Sequence, residues 1–257
     1  MRNNSYPAFK HVGILYSVVV FLFITIGSKV QQNELYSGLV ITEFVLIAAP
    51  CLALLYICRY NVKEVLRINR VGFLNLFLIL FIMILAIPVI NMINLANLWV
   101  IRLIFGRIVI EQPPIATSAP GLLLNVLVFG GAAGICEEIM FRGVVQRSFE
   151  RIGQIKAILI TAFLFGLLHI DFQKLLGTFL LGSLIGFIVY RTNSIFSGIF
   201  AHFINNSSAV LLGFMSSRYL ESTDMAESRG LVSQNAADDF FARFEGISTQ
   251  ELIITII

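Results

Sequence analysis

The sequence predicts an all-α fold, a polytopic transmembrane helical bundle of about seven or eight spans. Three observations predict it. Hydrophobic residues make up 58% of the chain and charged residues only 13%, and the mean hydropathy is +0.88. An ordinary soluble domain carries about 25% charged residues. The apolar residues fall in long runs of roughly 20, the length a helix needs to cross a bilayer core, instead of alternating with polar ones. Every second connection between the runs is basic, as expected of loops held on the cytoplasmic side.

The elements follow in order. The first run, 12–29, comes after Arg2 and Lys10. Its front half has the form of a secretory signal, but no small-x-small cleavage site follows and the run is long enough to span, so it reads as a retained helix. Runs at 39–58 and 72–90 are separated by Arg59, Lys63, Arg67 and Arg70. Asn91, Asn94 and Asn97 read as a turn beyond the third run. "NLWVIRLIFGRIVI", with Trp99, Arg102 and Arg107, reads as an interfacial amphipathic helix. If the fourth run, 120–136, stays helical on to Arg151, it covers about 30 residues or roughly 45 Å and must tilt, bend or enter the interface. "FGGAAG", 129–134, is the place for a bend or a close approach.

Runs at 155–170, 174–190 and 194–214 complete seven. Arg147, Arg151 and Lys156 precede the fifth, and Arg191 follows the sixth. Gly182 and Gly186 have the small-xxx-small spacing of helix packing. The acidic loop 216–246 reads as solvated surface, and "ELIITII" as the start of an eighth span or a short buried helix. The chain is expected to form a single membrane-embedded domain over 1–257, with its motif-bearing core at 120–210 and the spans of 12–90 accessory. Its expected place is the cytoplasmic (inner) membrane, multi-pass, with the N-terminus in the cytoplasm. A net charge of +3 is too small to suggest nucleic acid as a partner, and the bilayer is the first partner implied. Cys51, Cys58 and Cys136 lie in or beside apolar segments without metal-ligand spacing and read as small core residues.

Three stretches carry chemistry. An ionisable group inside a membrane costs from about 2.5 kcal/mol upward unless it is paired or solvated. In "GICEEIMFRG", Glu138 and Arg142 have the acid-first spacing of a helical ion pair, whereas Glu137 points about 100° away and has no local partner. In "FLFGLLHID", His169 lies deep in the fifth run with Phe165 one turn before it. In "SGIFAHFINNSS", His202 and Asn206 project from one helix face near the middle of the seventh run. Counted from Arg151, Lys156 and Arg191, residues Glu137, His169 and His202 lie at comparable depth, roughly 16–21 Å inward. Three helices thus offer Glu, His and His at one level, the pattern of an intramembrane functional site.

The order EExxxR, FxxxH, HxxxN on successive helices resembles that of the CPBP family of intramembrane endopeptidases, the CAAX prenyl protease and bacteriocin-processing (Abi) group. Here it stands as Glu137, Glu138 and Arg142, then Phe165 and His169, then His202 and Asn206. The resemblance implies hydrolysis of a peptide bond in a peptide or membrane-associated protein. It implies that Glu137 and His169 activate water, that His202 and Asn206 steady the oxyanion, and that Glu138, Arg142 and Phe165 support them. Family members are also often described as metalloproteases. A zinc reading would use His169, His202 and Glu138 as ligands with Glu137 as base. Asn is a poor zinc ligand and the metal-free scheme is preferred, but no H-E-x-x-H pair is present, so neither scheme wins on sequence and a divalent metal stays open. Two other classes compete: a non-catalytic bacteriocin-immunity or scaffold membrane protein, and a small proton-coupled transporter.

Overall fold

Apolar runs bounded by small polar residues become helices with defined ends. The computed structural model describes residues 6–109 and 115–228, with side chains as far as residue 219. All regular structure among them is helical: α1 (Phe9–Asn33), α2 (Leu35–Ile57), α3 (Val62–Val65), α4 (Phe73–Phe105), α5 (Ala119–Ile152), α6 (Gln154–Leu168), α7 (Leu175–Thr192) and α8 (Ile195–Ser228). The starts follow from local chemistry. The Glu34 carboxylate accepts from Tyr36 N and Ser37 N to cap α2, and Ser118 Oγ accepts from Gly121 N to cap α5, where Pro120 sits in the first turn. Gly153, at φ 113°, takes a conformation closed to other residues and separates α5 from α6.

Six of these helices are long and apolar enough to cross a membrane, and α6 is a shorter apolar helix of 15 residues. Together they occupy the seven predicted runs. The acidic loop beyond 228 and "ELIITII" lie outside the described residues.

Two local expectations are corrected. Asn91, Asn94 and Asn97 do not form a turn, and "NLWVIRLIF" is not a separate interfacial helix. All belong to α4, which runs through Pro88 for 33 residues to Gly106 at φ 74°. One proline removes one backbone hydrogen bond, a loss that the apolar turns on both sides outweigh. Asn97 Nδ2 donates to Gln173 O in the α6–α7 turn, and the Gln173 side chain bonds both N and O of Val109. These groups satisfy irregular backbone that lipid could not.

The predicted length of α5 is realised. It covers 34 residues, roughly 51 Å at helical rise, with π-helical stretches at Val126–Ala132 and Ile139–Val145. The "FGGAAG" stretch is a close-packing surface. A Cβ on Gly130 would lie 2.5 Å from Ser207 Oγ, and one on Gly134 would touch the α8 backbone at Ile199 and Phe203.

Two apolar seams hold the helices. In one, Val12, Leu15, Val19, Cys51 and Leu55 of α1 and α2 pack with Met140, Phe141 and Phe165 of α5 and α6. In the other, Ile79 and Met83 of α4 pack with Ile185 of α7 and Ala201 of α8. Lipid itself is apolar, so shape and a few polar ties set these contacts. Tyr16 OH donates to Leu164 O, and Tyr36 OH to Asn125 Oδ1. Residues from three of the basic connections (Arg67, Arg147 and Arg191) line one cleft together with Tyr6, as alternate loops on one side require.

Candidate active site

The site is built where α5 crosses α8. Their close approach at Gly130 and Gly134 brings His202 onto the face of α5 that carries the paired glutamates. Glu138 and Arg142 form the expected i,i+4 ion pair, Nη1 to Oε1 at 2.6 Å, with both side chains fully buried. Arg142 is held further by Gly182 O and lies 4.7 Å over the Phe165 ring. Gly182 permits this because a Cβ there would press on Ala162 and Phe165. One turn on, Gln146 Nε2 donates to Gly186 O, so the two small residues of α7 receive successive polar side chains of α5.

His202 is almost wholly buried. Its Nδ1 lies 2.9 Å from Glu138 Oε1, so the carboxylate oxygen that accepts from Arg142 also fixes this ring. The opposite nitrogen, Nε2, is 3.8 Å from Glu137 Oε2. That separation is too long for a hydrogen bond. Glu137 Oε2 has no other partner, nor has Glu138 Oε2, which lies against Gly198. The arrangement is a chain, Arg142–Glu138–His202–Glu137, with a gap before its last member.

The other two candidates are placed differently. Asn206 Nδ2 donates to Phe129 O at 2.8 Å, within the π-helical stretch Val126–Ala132 of α5, and its Oδ1 accepts from Asn205. His169 is not deep within a helix. It is exposed at the C-terminal end of α6, followed by Ile170 at φ 53°. Its depth comes from the shortness of α6, roughly 22 Å, which ends the helix before it crosses a full bilayer. His169 Nδ1 donates to Phe165 O, and its ring meets Phe165 edge-on at 5.0 Å. Phe165 also meets His202 at 5.8 Å and Phe141 at 5.1 Å. The phenyl ring therefore joins the two histidines, and no hydrogen bond links His169 to Glu137.

Residues 119–208 match the family model described as type II CAAX prenyl endopeptidase Rce1-like. These residues form an Rce1-like domain. It starts at the first residue of α5, ends within α8 and holds all seven motif residues. No curated protein and no solved structure matches the chain.

The Rce1-like domain does not present the zinc ligands as a set. Among the described residues no three His, Cys, Asp or Glu side chains cluster around a metal-sized space. The reason is visible in the donors: Glu138 Oε1 is already shared by Arg142 and His202, and Phe165 holds His169 apart.

Glu43 escaped the sequence reading. It lies outside the Rce1-like domain, in the π-helical stretch Thr42–Ala48 of α2, which packs on Ala133–Glu138. It is buried, and its Oε2 has no partner. The signal was a lone acid in an apolar run, "ITEFVLIAA", which carries no motif.

Proposed function

We propose that this protein is an intramembrane endopeptidase that cleaves a peptide bond with water activated at Glu137. The observation that carries the reading is the His202 imidazole between two carboxylates, hydrogen-bonded to Glu138 and 3.8 Å from an unpartnered Glu137 oxygen. With Nδ1–H on Glu138, His202 is held in one orientation, and Nε2 faces Glu137 across a space that one oxygen atom can bridge. Water bound there gives its proton to Glu137 as its oxygen adds to the scissile carbonyl carbon. The proton then passes to the departing amine as the C–N bond breaks. Asn206 spends one amide hydrogen on Phe129 O and keeps a second for the oxyanion, beside His202 on the same face of α8. His169, exposed at the end of α6, is the partner proposed for Glu137 in activating that water. Glu138 and Arg142 hold His202 in place.

The substrate class that the Rce1-like domain suggests is a peptide or membrane-associated protein with a C-terminal Cys-aliphatic-aliphatic-X tail. We place the protein in the cytoplasmic membrane with its N-terminus and basic end in the cytoplasm. The test is to incubate purified protein with fluorogenic peptides, prenylated and unmodified, beside Glu137→Gln. The unmodified protein should release fragments, and the variant should lose at least about 100-fold of that rate while its yield and melting temperature hold. Equal cleavage by the variant would remove Glu137 from the mechanism, and a parallel arm with chelator tests a bound metal. Proton-dependent solute uptake with no peptide product would favour a transporter instead.

A further inference from the structure

Away from the glutamates, at the basic end of the bundle, lies a cleft of about 400 Å³. Polar bonds between distant loops tie two of its lining segments together: Asn69 Nδ2 donates to Asn193 O, Ser194 Oγ donates to Asn69 O, and Ile195 N donates to Arg67 O. Three arginines, Arg67, Arg147 and Arg191, line it against one carboxylate, Glu150, leaving positive charge uncompensated. Arg67 is only 4% exposed and takes a left-handed backbone conformation, φ 51°.

Glu150 binds the buried Arg67 and the half-buried Arg147, one through each carboxylate oxygen. That does not use up their donors. Arg67 Nε, Arg67 Nη1 and Arg147 Nε are buried and have no acceptor. Buried N–H groups are nearly always paired, and an orphaned guanidinium N–H costs more than a neutral one. Tyr6 covers Arg147, its ring 4.4 Å from the guanidinium carbon, and so keeps water from that face. These donors belong to two side chains and are not a single planar fork. A tetrahedral oxyanion with several terminal oxygens suits them better than one flat carboxylate.

We propose that this cleft binds a phosphate group, supplied by an anionic phospholipid headgroup or by a free phosphate. The site stands at the end where the basic connections gather, the level at which headgroup phosphates lie. It does not depend on the peptidase reading.

The test uses the full-length protein, unmodified and as Arg191→Gln and Arg67→Gln. Arg191 is exposed on the cleft rim, so its variant should fold normally. Inorganic phosphate is titrated into protein in detergent against chloride at matched ionic strength, with melting temperature as readout. The same proteins are reconstituted in phosphatidylglycerol or phosphatidylcholine vesicles, and retained lipid is read by native mass spectrometry. Phosphate should raise the melting temperature of the unmodified protein by several degrees, with apparent affinity about tenfold weaker in Arg191→Gln. A response to phosphate assigns a free ligand. Selective retention of phosphatidylglycerol that is lost in the variant, without a phosphate response, assigns the lipid. No response in either arm, or one unchanged in both variants, overturns the proposal.

Discussion

Glu138 spends one oxygen on two donors and presses the other against Gly198. A Cβ at residue 198 would lie 2.6 Å from that oxygen and 2.5 Å from Val189 Cγ2. Gly198→Ala should therefore displace the carboxylate, lowering the melting temperature and cutting peptide cleavage at least tenfold; normal values for both would show that Glu138 has room to move. Glu138→Gln should be worse for stability, because it leaves the Arg142 charge buried and unpaired, a loss of about 3–5 kcal/mol. Denaturation in detergent would read it. Glu43 makes the opposite prediction. A buried carboxyl with an unpartnered oxygen is a stability liability, kept where function needs it. Glu43→Leu should leave the melting temperature equal or higher while slowing cleavage; full activity in Glu43→Leu would reduce it to a bystander.

Helix α5 is the element on which the site depends, and its seam with α8 is set by small residues. Gly130 faces Ser207 and Phe203, whereas Gly131, one position on, has nothing within 4 Å of its Cβ position. The pair makes an internal control. Gly130→Val should separate the helices, lower the melting temperature and reduce cleavage by moving His202, whereas Gly131→Ala should be neutral or slightly stabilising through helix propensity. Equal effects at both positions would contradict the seam described here. The short helix α6 works with it: stopping after 15 residues, it leaves His169 at an exposed helix end instead of inside a continuous span.

On the scale of the molecule, the alternation of basic and non-basic connections is the basis of the proposed orientation. In a background with Cys51, Cys58 and Cys136 replaced by alanine, Lys63→Cys should react with an impermeant thiol reagent from the cytoplasmic side only, and Arg107→Cys from the opposite side only. Labelling of both from one face would refute the assigned topology. The Thr42–Ala48 stretch of α2 packs on Ala133–Glu138 of α5, so the Glu43 variant also tests whether the N-terminal helices serve the site.

What the sequence determined by itself was whatever depends on separation along one chain. Apolar length located the seven runs, and the i,i+4 spacing paired Glu138 with Arg142. The asparagines of α4 were misread because a turn and a helix face that serves a neighbouring turn have the same local composition. Only the tertiary structure decided that Glu138 fixes His202, that Phe165 stands between the histidines, and that the stretch carrying Glu43 packs on the one carrying Glu137. Those relations depend on how far each helix is rotated and how closely it approaches the next. In an apolar solvent that rotation is set by the fit of small residues and a few buried polar ties, which no stretch of sequence contains alone.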